Sequence, residues 1–294
     1  MILLSQMAFY QLPLPKLPSA QARVLSEKLS EVIPRNFLYK VIVIDLRQRT
    51  SSGISPYFCD MDIQNKTIII SGASRGIGRA TALLLAQNGA NVVATARNAN
   101  DLKSLEAEHQ NIVGVAGDVA NETDMASVVQ TALDRFGRID VVINNAGYGV
   151  FKNVDEISVE EWDGVMSTNV KGTFVLTKAA LPTLKAQGSG HFVVVASDVA
   201  KRTFAGGSLY TASKYAQEAF MGALRKEVRP FGIKVTGVYS GLVDSHFHAK
   251  GHGHETSKNW LQNEDMAESM LFIVSRPAHV VIDEFMVHPL EQEY

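Results

Sequence analysis

From Met61 onward the chain alternates short runs of β-branched residues with stretches of helical spacing, and this rhythm restricts the fold more than any other feature. The runs are TIIIS (67–71), NVVATA (91–96), NIVGVAG (111–117), VVINN (141–145), HFVVVAS (191–197), IKVTGVYS (233–240) and VVIDEFMV (280–287). Helical patterns fall between them, over 77–88, 101–109, 123–136, 158–186, 208–228 and 264–275. Near-continuous Val/Ile runs mean strands buried on both faces, hence a mostly parallel sheet covered by helices on each side. The expected fold is α/β: a doubly wound, Rossmann-type domain with a seven-stranded, mostly parallel sheet between helix layers.

The first strand runs into GASRGIGRA, Gly72 to Ala80, and then into the apolar helical stretch ATALLLAQ. Glycines let a backbone approach a pyrophosphate, whose charge meets the unpaired N–H groups at the next helix's N-terminus. The spacing Gly72-x-x-x-Gly76-x-Gly78 is not the G-x-G-x-x-G fingerprint, and no Gly-Lys-Ser/Thr follows, which argues against a phosphoryl-transfer loop. Ligands in such sheets bind beyond the carboxyl ends of the strands. The residues just past the strands are therefore informative: Arg97 after the second, Asp118 after the third, Asn144 to Gly147 after the fourth, Ser197 at the end of the fifth, and SGLVDS after the sixth.

With 294 residues, 46% of them hydrophobic, and a formal net charge of −2, the chain can bury one large core and has no basic excess, so nucleic acid is not an expected partner. The single cysteine, Cys59, excludes an internal disulfide framework and a cysteine zinc cage and suits a reducing, cytoplasmic setting. No apolar run approaches the roughly 18 residues of a membrane helix. Residues 1–60 contain QLPLPKLPSAQ and SSGISPYFCD and read as a poorly ordered or locally structured extension ahead of one domain, 61–294. HFHAKGHGHE carries His246, His248, His252 and His254, but no carboxylate supports a catalytic metal geometry; no metal is expected, and the segment reads as a mobile substrate lid.

YTASK places Tyr210 and Lys214 one helical turn apart on the same face. A phenol titrates near pH ~10, and a cation within a few Å favours the phenolate by about one to three units. Lys214 is accordingly expected to bring Tyr210 toward the range of general acid–base catalysis.

Taken together, SGASRGIG, NNAG, STNVKGTF, VVVASDVA and YTASK, with Ser197 thirteen residues before Tyr210, resemble a short-chain dehydrogenase/reductase over Met61 to the C-terminus. The resemblance implies that Tyr210 donates the proton to a carbonyl under reduction and that Ser197 hydrogen-bonds the same oxygen. Lys214 would hold the nicotinamide ribose, and Asn169 would anchor a water that links this lysine to solvent. Asn169 lies on a helix opened by a capping box, Ser158 with Glu161. The resemblance also places Gly72, Ser74, Arg75, Gly76, Ile77, Gly78, Arg97, Asp118, Val119, Asn145, Ala146, Gly147, Tyr210, Lys214, Val243 and Ser245 at a dinucleotide. It implies a homodimer or homotetramer acting on a small carbonyl or alcohol substrate.

The dinucleotide is expected to be NADP. NAD sites place an acidic residue near the end of the second strand, where this chain has Ala96 followed by Arg97. Arg75 and Arg97 can converge on a 2′-phosphate, with the Ser74 hydroxyl as a further donor. Three positions depart from the family pattern: Ser71 for threonine, Ser240 for a proline, which is expected to loosen the GLVDS wall, and Lys201 for a glycine, which would put a cation at the pocket mouth. The tail from Asn263 is similar to the branch acting on 3-hydroxy acids such as serine. Reduction of 3-oxoacyl thioesters, and a non-catalytic dinucleotide sensor or scaffold, stand as alternatives.

Overall fold

In a computed structural model the described residues are 63–245, 247 and 253–293; the expected extension 1–60 and most of the His-rich segment lie outside them. Seven strands form one sheet: β1 (Thr67–Ser71), β2 (Asn91–Ala96), β3 (Ile112–Ala116), β4 (Val141–Asn144), β5 (Gly190–Val195), β6 (Ile233–Ser240) and β7 (Glu284–Val287). Their order is β3-β2-β1-β4-β5-β6-β7, and every pairing is parallel. The order reverses between β1 and β4, which opens a crevice beyond their carboxyl ends.

The alternation of side chains along β1 divides the core in two. Ile68 and Ile70 pack with Leu85, Leu102, Leu105, Met266 and Met270, which belong to α1 (Gly76–Gln87), α2 (Ala99–Glu108) and α7 (Asn263–Val274). Ile69 points the other way, toward Met125, Val128, Leu176, Ala180 and Met221 of α3 (Glu122–Phe136), α5 (Gly172–Gln187) and α6 (Ser208–Val228). Each fully enclosed Ile contributes about 1.5–3 kcal/mol by leaving water. That burial on both faces is why these runs are strands without polar alternation.

Local chemistry sets the helix starts. Asn98 accepts from the N–H groups of Asn100 and Asp101 to open α2, and Asn121 from those of Thr123 and Asp124 to open α3. The expected capping box opens α4 (Val159–Met166): Ser158 Oγ accepts from the Glu161 N–H at 3.1 Å, and the Glu161 carboxylate accepts from the Ser158 N–H at 3.0 Å.

Two elements differ from the sequence expectation. The helix expected to run unbroken over 158–186 is interrupted at Ser167–Lys171 by a π-helical turn, which joins α4 to α5. The strand expected over 280–287 starts only at Glu284. Ahead of it two carbonyls serve β6 side chains, Lys234 Nζ donating to Val280 O at 3.2 Å and Thr236 Oγ1 to Ile282 O at 2.6 Å, while Asp283 O accepts from the Gly237 N–H at 3.0 Å.

Candidate active site

The crevice between β1 and β4 is laced by one hydroxyl. Ser71 Oγ accepts from the N–H groups of Asn145 and Ala146, each at 3.1 Å, and donates to Ile143 O at 3.5 Å. Asn145 Nδ2 returns the link by donating to the carbonyls of Ser71 (3.0 Å) and Gly72 (3.2 Å). Two glycines make this closeness possible. A Cβ on Gly72, where φ is +67°, would lie 2.8 Å from Ala146 Cα, and one on Gly78 would lie 2.3 Å from Gly72 O. The first turn of α1 can therefore press its backbone against the crevice.

A cavity of about 1210 Å³ runs from this turn to α6. Every residue expected at the dinucleotide lines it except Gly78, which is buried behind Gly72. Arg75 and Arg97 are exposed in its wall, and among the described residues neither is paired with a carboxylate. Arg79, by contrast, is held by Glu108 and donates to Ser104 Oγ at 3.2 Å.

At the other end the side chains are enclosed. Ser197 Oγ donates to Asp198 Oδ1 at 3.0 Å. Burial pushes the Tyr210 phenol above its ordinary range; the hydrogen bond with Ser197 opposes this, and the nearby Asp198 charge adds to it. Lys214 Nζ donates to Val195 O at 3.0 Å and to Gln217 Oε1 at 2.9 Å, and stands 5.6 Å from the Tyr210 ring centre. Burial brings this ammonium down to about 7. The expected lowering of the phenol by Lys214 is thus not what the site displays, because both groups lose their water and a phenolate would also face Asp198.

Asn169 does not line the cavity; it sits fully buried in the π-turn behind it. Its Nδ2 donates to Tyr148 O at 2.9 Å and Ser213 Oγ at 3.0 Å, and its Oδ1 accepts from the Tyr148 N–H at 3.0 Å. Its main-chain carbonyl accepts from Thr173 Oγ1 at 2.7 Å and from Gln217 Nε2 at 2.8 Å. Gln217, which the motif reading passed over, therefore links the Asn169 carbonyl directly to Lys214. The signal was available: Gln217 lies three residues beyond Lys214, on the same helix face.

Lys201 is not at the pocket mouth. Its Nζ pairs with Glu218 at 2.8 Å and Glu284 at 3.2 Å, over the Tyr239 ring, and it does not line the cavity. The GLVDS wall is not loosened by Ser240 either, because its amides are tied to their surroundings. Gly241 N–H donates to Val287 O (2.9 Å), Leu242 N–H to Gln292 Oε1 (2.7 Å) and Asp244 N–H to Leu261 O (2.7 Å). Gln292 of the tail is a second wall residue that no motif announced.

Residues 66–255 match the family model described as short chain dehydrogenase. The chain belongs to the short-chain dehydrogenase family. It has oxidoreductase relatives: an uncharacterized oxidoreductase of Staphylococcus aureus (strain USA300) is 33% identical over 230 residues, which is 78% of this chain and 99% of the relative. One of Staphylococcus haemolyticus is 34% identical over 231 residues, with the same coverage. Among solved structures, an alcohol dehydrogenase of the archaeon Thermococcus sibiricus complexed with 5-hydroxy-NADP is 31% identical to this short-chain dehydrogenase with a TM-score of 0.74, covering 78% of this chain and 98% of that one. The closed form of a serine dehydrogenase complexed with NADP+ is 28% identical with a TM-score of 0.73, covering 78% and 96%.

Proposed function

We propose that this chain interconverts a carbonyl compound and its secondary alcohol with NADP(H) as hydride partner. The observation that carries the reading is the enclosed set of Ser197, Tyr210 and Lys214 at one end of a cavity whose other end is a glycine cradle flanked by two arginines that have no carboxylate partner among the described residues. The residues present suit a dinucleotide: a side chain at Gly72 or Gly78 would fill the place where a backbone must lie close, and exposed guanidinium groups match a phosphate. Arg75, Arg97 and Ser74 would hold the 2′-phosphate, and the amides after Gly72 the pyrophosphate. Lys214 would hold the nicotinamide ribose. Bound there, the nicotinamide supplies or accepts the hydride.

The chain's own residues handle the oxygen. In the reducing direction Tyr210 gives its phenolic proton to the carbonyl oxygen as negative charge grows there, and the Ser197 hydroxyl turns from Asp198 to hydrogen-bond the same atom. A phenol held well above its ordinary range remains protonated at neutral pH, ready to donate. Lys214, held by Val195 O and Gln217, stands beside the phenolate that forms, and its ammonium form stabilises that charge. Loss of NADPH absorbance over a panel of aldehydes and ketones tests the reading; a purified, folded chain that consumes NADPH with none of them refutes it.

Cofactor preference rests on Ala96 and Arg97. We expect kcat/KM with NADPH to exceed that with NADH by at least about tenfold, or about 1.4 kcal/mol. The enzyme is also proposed to be a cytoplasmic homo-oligomer built on residues 61–294. Self-association through α5 and α6 is supported by Phe174, 44% exposed on α5. Light scattering on the chain lacking residues 1–60 checks both ideas, and an aggregated or monomeric species counts against them.

A further inference from the structure

Three aromatic side chains from three separate loops cluster beside the proton donor, two of them against its ring. Phe151, beyond β4, packs edge-on to the Tyr210 ring with centroids 5.3 Å apart, and Phe247, beyond β6, lies 5.3 Å from Tyr210. Phe204, which precedes α6, stands 6.1 Å from Phe151. All line the cavity, and Phe151 and Phe204 remain 45% and 40% exposed. Glycines let these rings fold back over the backbone. A Cβ on Gly149 would lie 2.9 Å from Phe151 Cζ and 3.0 Å from Phe247 Cζ, and one on Gly207 would lie 2.3 Å from Phe204 Cζ.

The charged side chains around the same end already have partners. A carboxylate substrate needs a cation close to the reacting oxygen, and the cations there among the described residues are Arg202 and Lys214. Arg202 grips Asp198 Oδ2 through Nη2 (2.6 Å) and Nε (3.0 Å). Lys214 is turned to Val195 O and Gln217. Asp198 itself is buried, and its Oδ1 accepts from Ser197 Oγ. Arg202 and Gln292 hold Asp198 through Oδ2, so an anionic group brought up to Ser197 would meet the Oδ1 side of that pair, away from the guanidinium.

We propose that the substrate is a flat, apolar carbonyl compound, of the aryl ketone or aryl aldehyde class, or its alcohol, and not a small 3-hydroxy acid. Its ring would lie against Phe151, Phe204 and Phe247, covering apolar surface that water otherwise wets, with its oxygen at Tyr210 and Ser197. The proposal rests on the reading of Tyr210 as proton donor, so its test separates binding from turnover.

Saturation-transfer NMR on the full chain with NADPH reads binding of an aryl methyl ketone without needing catalysis, and Phe151→Ala and Phe204→Ala should each weaken it at least about fivefold. Phe151→Leu, which keeps apolar bulk, should fall between. The NADPH affinity and thermal transition of each variant show that cofactor end and fold are intact. In turnover, kcat/KM for the aryl pair should exceed that for 3-hydroxyisobutyrate and L-serine at least about a hundredfold. Absence of aryl binding, binding indifferent to both phenylalanines, or equal or better turnover of the hydroxy acids overturns the proposal. Aryl binding that responds to both phenylalanines, with no NADPH consumed on any member of the carbonyl panel, supports this pocket and refutes the proposed carbonyl–alcohol chemistry instead.

Discussion

The two ends of the cavity are built from different materials. At the glycine turn the working surface is backbone: glycines stand where a methyl group would collide, and the flanking guanidinium groups are exposed and, among the described residues, not shared with a carboxylate. At the α6 end it is buried side chains, each already engaged: Ser197 with Asp198, Lys214 with Gln217, and Gln217 with Asn169. The contrast suggests a division of labour. A backbone cradle tolerates little change in shape but leaves its charges free to select a ligand, whereas an enclosed polar network selects little and holds proton donors at fixed energies.

The sharpest way to break this comparison is Tyr210→Phe. Removing the phenolic hydroxyl, and with it the transferable proton, should lower kcat about a hundred- to ten-thousandfold while the Kd for NADPH, read by fluorescence, moves less than about twofold. A matching loss of cofactor affinity would mean that the ends are not separate. Exchanging Ala96 for Asp and Arg97 for Ser should act in the opposite sense. The NADPH preference should fall about tenfold or more through KM, with kcat on the preferred cofactor retained.

Gly78→Ala probes the cradle as a shape. Its methyl group would meet Gly72 O, so stability should fall by about 1–3 kcal/mol in urea unfolding, and NADPH affinity should weaken with it. An unperturbed variant would show that the turn has slack.

His191 sharpens the picture with a buried group outside the cavity. Its Nε2 lies 2.7 Å from Thr236 Oγ1, and burial, with Lys234 and Lys66 adding to it, brings the imidazole down to about 3. In the unfolded chain it titrates near 6.5. Between those values the unfolded state holds a proton that the folded state refuses, so stability is lost as pH falls through that window, by at most about 1.4 kcal/mol per unit. Unfolding at pH 7 and pH 5 should differ by about 1–2 kcal/mol from this residue, and His191→Gln should flatten the difference.

The sheet was legible because Ile68–Ile70, Val92–Ala94 and Phe192–Val194 are enclosed on both faces, and only strands make that demand in runs so short. The motif residues were legible for a related reason: they sit at strand ends, where the topology collects them. Gln292 and the three phenylalanines were not, because each acts through a partner distant in sequence; Gln217 was within reach of the pattern, three residues beyond Lys214, and was passed over. Lys201 misled because a charge near a motif says nothing of which neighbours claim it, and here Glu218 and Glu284 do. The Tyr210–Lys214 spacing placed the two groups correctly but not their energies. Spacing conveys proximity, and the removal of water is a property of the whole fold.

The π-turn at Ser167–Lys171 makes the length of the chain, not the identity of a side chain, the quantity that sets the register of this site. Removing one residue from it would close the widened turn into an ordinary α-helical one, leaving α4 and α5 in nearly the same relative orientation but changing which backbone and side-chain groups stand at the place of Asn169. With all four residues of the Asn169, Ser197, Tyr210 and Lys214 set still in the chain when the cut spares Asn169, the Asn169 amide would swing off Tyr148 and Ser213, or its carbonyl off Gln217. The enzyme would fail by miscounting.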